Sequence, residues 1–174
     1  GVIIGYDQNK YFVTGGTHTD TIKGYLKRES TGTGTVAFPI GNSVSEYTPA
    51  SMANSGTSDD FKARVFVNVY SGGNKDTIQD KAIQRTYDIR EATNGGSNIT
   101  LNLQHNTATQ DANYDNTKAY IARYIGTAPN TSGDTTSSSR WDKIQLSNRT
   151  AGTATGTITT GAAISGASVL TRTG

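Results

Sequence analysis

The sequence predicts an all-β protein built as an antiparallel sandwich, and three of its features point there. Apolar residues recur at every second position in run after run, clusters of Gly, Asn, Asp and Ser separate the runs, and no stretch carries a helical period. Alternation of this kind marks strands with one buried and one wet face. Many short strands at this spacing favour two packed sheets over a closed barrel.

The first element raises its own question. "GVIIGYDQNKYFVTGG" puts Val2, Ile3 and Ile4 at the head of a polar chain. Three apolar residues without a basic leader or a cleavage site do not make a signal peptide. They call for cover from the protein's own sheet or from another molecule. "KYFVT", "IKGYLKRE", "TVAFPI" and "EYTPASMA" then read as strands. Pro39 and Pro49 fall inside the last two, which places those runs at sheet edges or at bulges.

The middle of the chain carries the clearest pattern. In "FKARVFVNVY" Phe61, Ala63, Val65, Val67 and Val69 form one face against Lys62, Arg64, Phe66, Asn68 and Tyr70. "AIQRTYDIREA" sets Ile83, Tyr87 and Ile89 against Gln84, Thr86, Asp88 and Arg90, and "NITLNLQHN" gathers Ile99, Leu101 and Leu103. Arg85 shares the apolar face of its strand, so a carboxylate or several carbonyls must meet it. "KAYIARYIGT" is apolar on both faces and reads as a strand covered on both sides. "SGDTTSSSR" reads as a loop, followed by strands at "WDKIQLSN", "TGTITTG" and "SVLTRT". In the Thr-rich "TGTATGTITT" one face is Thr153, Thr155, Thr157 and Thr159, and its register depends on its partner.

Length and composition bound the rest. With 174 residues the chain forms one domain, residues 1–174, large enough to hold a core without staples. The absence of cysteine removes disulfides, thiolate chemistry and zinc–sulfur sites. A net charge of +2 without a basic stripe argues against nucleic acid, and no run approaches the length of a membrane helix. A composition rich in Thr and Gly and free of Cys is that of exported bacterial β-proteins.

Candidate chemistry is sparse. The two histidines, His18 in "THTD" and His105 in "LQHN", read as exposed loop residues. Neither pairs with a Ser or Thr in a recognisable nucleophile arrangement. Asp59 and Asp60 are sequence neighbours whose side chains diverge in an extended chain, so they do not form a glycosidase pair. "DANYDN" offers Asp111, Asn113 and Asp115 at alternate positions, as calcium loops begin. The sixth position is Asn116 and no Glu follows at the twelfth, so an Asx-rich turn is the preferred reading. Tyr114, Tyr120, Tyr124 and Trp141 are the aromatics to consider as a sugar-stacking platform, against ordinary strand packing. No catalytic, cofactor or metal site is assigned.

Taken together, "KYFVTGG", "GYLKRES", "VAFPIGNSVSEYTPASMANSGTSDDFKARVF", "IQRTYDIREATNGGSNITLNLQHN" and "AYIARY" resemble, in this order, a domain of large secreted Bacteroidetes proteins exported by type IX secretion. The likeness spans about Tyr11 to Trp141. Tyr87 stands where the family carries Trp, and "VLTRTG" lacks the family's closing strand. The resemblance implies an immunoglobulin-like β-sandwich, extracellular, structural or adhesive, without catalytic residues. It also implies that Thr21, Thr77 and Thr135, each after Asp, are acceptors for O-glycosylation. The sequons at Asn98, Asn130 and Asn148 matter only in a eukaryotic secretory pathway.

The resulting expectation is a non-enzymatic extracellular subunit of a filament or surface assembly. A sandwich short of one strand has an open edge, and head-to-tail strand addition from a neighbour fills it. Residues 1–10 and 167–174 are the candidate donor segments, with Val2, Ile3, Ile4, Val169 and Leu170 as assembly residues; the alternative is that they complete their own sheet. The other functional reading is an adhesin or spacer domain that binds surface glycans. Ice or mineral binding through the Thr-x-Thr run needs a regular flat repeat, which the sequence does not show.

Overall fold

The computed structural model describes residues 11–13, 24–69, 81–93, 95–125, 140–144, 146–150, 153–159 and 167–171. Two large antiparallel sheets form a sandwich. The six-stranded sheet runs, in spatial order, β11 (Arg140–Ile144), β10 (Ala119–Ile125), β14 (Ala167–Thr171), β8 (Arg85–Glu91), β7 (Asp59–Val67) and β2 (Leu26–Thr31). The five-stranded sheet runs β12 (Leu146–Thr150), β13 (Thr153–Thr159), β9 (Asn98–Gln104), β6 (Ala50–Asn54) and β3 (Val36–Phe38). A small third sheet joins β1 (Phe12–Val13), β4 (Ile40–Ser43) and β5 (Glu46–Tyr47), with β1 parallel to β4.

Alternation decides which faces meet. β7 buries Phe61, Ala63 and Val65 and exposes Lys62; its register with β8 sets Ala63 opposite Ile89 and Val65 opposite Tyr87, so both strands turn one apolar face inward. Ile99, Leu101 and Leu103 of β9 and Met52 of β6 meet them from the other sheet, with Phe38, Ile40, Ile83 and Ile121 in the same core. Burial of each such large side chain contributes about 1.5–3 kcal/mol. Tyr87, fully buried, donates its hydroxyl to the Gln104 carbonyl and ties β8 to β9.

The period of two fails in β8, where Thr86 and Asp88 of the expected wet face are buried, and at the end of β7. Phe66, expected on the wet face, is buried as well, and β7 stops at Val67. Asn68 follows with φ 70°, a left-handed conformation that Asn tolerates better than most residues, and its carbonyl accepts from Thr86 Oγ1 at 2.9 Å. The turn re-aims the chain, so Val69 packs with Ala82 and Ala122 in a second cluster, against which Tyr120 rests. Ala119 and Ile121 belong to the main core, so β10 is covered on both sides, as its sequence predicts.

Three runs expected as single strands are each divided between two sheets. Pro39 separates β3 from β4, Pro49 separates β5 from β6, and "WDKIQLSN" splits into β11 and β12. A proline cannot donate to a ladder, so the chain leaves one sheet there and enters another. The carbonyls still serve: Pro39 accepts from Phe12 N at 2.8 Å and Pro49 from Gln104 N at 3.0 Å. The edge positions expected from the prolines are found for half of each run: among the described strands β3 ends the five-stranded sheet and β5 ends the small one, whereas β4 and β6 are flanked on both sides.

The C-terminal candidate segment is described in part. Of residues 167–174, β14 lies in its own sheet beside β10, from Ala119 opposite Thr171 to Arg123 opposite Ala167. Val169 and Leu170 therefore stand in a strand paired within the chain. Val2, Ile3 and Ile4, and with them residues 1–10, lie outside the described residues.

Candidate functional site

Three regions gather polar side chains, and the first is on the outer face of β2, β7 and β8. The registers set Lys27 opposite Lys62 and Lys62 opposite Arg90, three cations abreast, with Arg64 opposite Asp88 in the next row. Like charges directly opposite repel. Asp88, with 1% of its side chain exposed, counters them by accepting from Arg64 Nε at 3.1 Å and Arg90 Nε at 2.8 Å, and the Tyr25 hydroxyl donates to the same carboxylate. Lys27 is met by Asp60 at 2.8 Å. The Tyr25 ring lies 4.8 Å from Lys62 Nζ, 4.8 Å from Arg64 Cζ and 5.9 Å from Arg90 Cζ, a set of cation–π contacts. Burial, then the Asp88 charge, push the Tyr25 phenol well above its ordinary value, so it stays a donor. Sequence alternation placed Asp88 on a wet face and did not single out Tyr25. An Asp in mid-strand, where that residue is depleted, was the available signal.

The second region carries Arg85. As its position on an apolar face requires, it meets a carboxylate: Nη2 donates to Glu46 Oε2 at 2.6 Å and Nε to Oε1, a bidentate pair that joins β8 to β5. Both side chains are 12% exposed. Beside it, the Tyr11 hydroxyl donates to the Ser43 carbonyl at 2.8 Å and its ring packs against Tyr47 at 5.1 Å. This arrangement is structural, tying the small sheet to the sandwich.

The third region is the loop between β9 and β10. His105, expected as an exposed loop residue, is 4% exposed, because the turn after β9 folds it under Tyr114 with ring centroids 5.9 Å apart. Among the described residues, neither of its ring nitrogens nor the Tyr114 hydroxyl has a hydrogen-bond partner. Burial holds the imidazole below its ordinary value and pushes the Tyr114 phenol up to about 12. Asp111 Oδ2 accepts from Ala82 N at 2.9 Å and Gln84 Nε2 at 2.8 Å. Asp115 instead accepts from the amide and hydroxyl of Thr117, bonds that pull its carboxyl down. Asn113 is exposed. The two carboxylates thus serve different segments, and among the described residues no three His, Asp or Glu converge on a point.

The aromatics separate in the same way. Tyr114 packs against the core and Tyr120 against the second cluster, while the register sets Tyr124 opposite Trp141 on β10 and β11. His18, Thr21, Thr77 and Thr135 lie outside the described residues. Among those described, no helix is long and apolar enough to cross a membrane.

Fold and polar groups together define an all-β sandwich whose ion pairs hold strands and sheets to one another. Compared with models of known families, with curated proteins and with solved structures, the chain matches none.

Proposed function

We propose that the chain is a non-enzymatic, extracellular structural subunit that polymerises head to tail by β-strand addition, built on an immunoglobulin-like sandwich of the kind it resembles in secreted Bacteroidetes surface proteins. One observation carries this reading. Among the described residues the six-stranded sheet ends at β2, a strand of six residues that is paired with β7 alone. A strand with one unpaired edge is a template for another, and backbone ladder bonds would supply much of the hold.

Val2 and Ile4 fit such a role, because alternate residues of an added strand fall on one face and set its register. The ion pairs described above fit a structural protein, with Asp88 and Glu46 saturated by arginines. Deleting residues 1–6 tests the proposal. The truncated protein is expected to remain folded and monomeric in electron micrographs and by sedimentation, and to assemble when the free peptide is added. Filaments that form as before without these residues overturn it.

A further inference from the structure

The outer face of the five-stranded sheet differs in chemistry from that of its partner. Val36, Met52 and Leu101, and Phe38, Ala50 and Leu103, face the core or its margin, so the residues between them form the opposite face. The registers align Ala37, Ser51, Asn102, Thr155 and Asn148 in one row across all five strands. A second row sets Ala53, Thr100 and Thr157 abreast. Neither row contains a charged residue, in contrast to the cation row and carboxylates across the sandwich.

Within this face lies a groove of about 240 Å³, lined among others by Ala37, Tyr47, Pro49, Ser51, Asn102 and Gln104. Its chemistry is specific. Among the described residues no carboxylate or amine lines it. The Ser51 hydroxyl and the Asn102 and Gln104 amides come from two neighbouring strands, and none of the three side chains is hydrogen-bonded to another described residue. Each amide offers a carbonyl acceptor and two donors, the combination that satisfies adjacent hydroxyls of a sugar. Tyr47 and Pro49 supply apolar surface at one end, and the Tyr47 ring packs against that of Tyr11, their centroids 5.1 Å apart. Rigid polar groups on strands, with one aromatic wall, are what a shallow carbohydrate site requires.

We infer that this groove binds a neutral oligosaccharide, its hydroxyls held by Asn102, Gln104 and Ser51 and one ring resting against Tyr47. Acidic glycans are disfavoured, because no cation among the described residues lines the site to meet a carboxylate or sulfate. The inference is independent of polymerisation, since the groove lies on the five-stranded sheet and the β2 edge on the six-stranded one.

The test uses the full chain, immobilised and exposed to cellohexaose, mannohexaose and xylohexaose, with a heparin hexasaccharide and a galacturonate hexamer as acidic counterparts. At least one neutral hexasaccharide is expected to bind in the millimolar range or tighter, and more tightly than the acidic ones. Asn102→Ala with Gln104→Ala should weaken that binding about tenfold with an unchanged unfolding midpoint. Lys62→Gln, on the other sheet, should leave it unaltered. Failure of all three neutral probes overturns the inference, as does a preference for the acidic ones, or binding that survives the double substitution.

Discussion

The Tyr25 hydroxyl donates to Oδ2 of Asp88, a residue 63 positions further along the chain, and through that carboxylate it is joined to Arg64 and Arg90. One buried charge thereby links the segment preceding β2 to β7 and β8, and neutralises a face on which cations stand abreast.

Asp88→Asn should therefore be among the most damaging polar substitutions in the protein. It removes the counter-charge from two arginines while keeping the side chain's shape. Breaking a buried pair costs about 3–5 kcal/mol; with Arg64 at 18% and Arg90 at 36% exposure, the lower end, about 3 kcal/mol, is expected. Urea unfolding measures it. A loss below about 1 kcal/mol would mean that the arginines are served by water.

The Arg85–Glu46 pair allows a cleaner separation of terms. Either Arg85→Met or Glu46→Leu alone leaves a nearly buried charge uncompensated and should destabilise the fold by about 3 kcal/mol. The double substitution replaces both charges with apolar groups and should recover most of that loss. A double-mutant cycle checks it, and additive losses would show that the two residues do not act as a pair.

His105 predicts a dependence on pH. Its folded-state pKa lies below its ordinary 6.5 because burial disfavours the cation. The unfolded chain therefore takes up the proton first. Its contribution to stability is complete above about pH 6.5 and is lost as pH falls from there through the folded-state value. Urea midpoints at pH 7.5 and pH 5 should differ less for His105→Phe than for the parent protein. Equal differences would remove His105 as the cause.

Gly41 and Gly34 make a matched pair. A Cβ at Gly41 would lie 2.1 Å from the Glu46 carbonyl oxygen and 2.3 Å from the Tyr11 ring, so Gly41→Ala must push β4 from β5 or displace β1. Overpacking of this kind costs about 1–3 kcal/mol. At Gly34 the same Cβ meets nothing within 4 Å, and Gly34→Ala should change stability by no more than about 0.5 kcal/mol. Thermal unfolding of the two variants side by side decides whether the Tyr11–Gly41 approach is as tight as described.

The sequence by itself determined which faces are buried. Phe61, Ala63 and Val65, or Ile99, Leu101 and Leu103, can reach a core only as alternate residues of a strand, since period two is a property of the extended backbone. It also determined that Arg85 must meet a carboxylate or several carbonyls and that the runs holding Pro39 and Pro49 stand at edges or carry bulges, because an unpaired buried charge and a missing N–H are local costs. What only the tertiary structure decided is which distant residues meet. That the partner of Arg85 is Glu46, that Asp88 gathers Tyr25, Arg64 and Arg90, and that His105 is buried under Tyr114 all depend on strand order and on where the chain changes sheets. Asp111 and Asp115, close in sequence, turn to different segments for the same reason. Ser51 and Asn102 share a groove because antiparallel pairing of β6 with β9 sets them opposite, a register that no local pattern encodes.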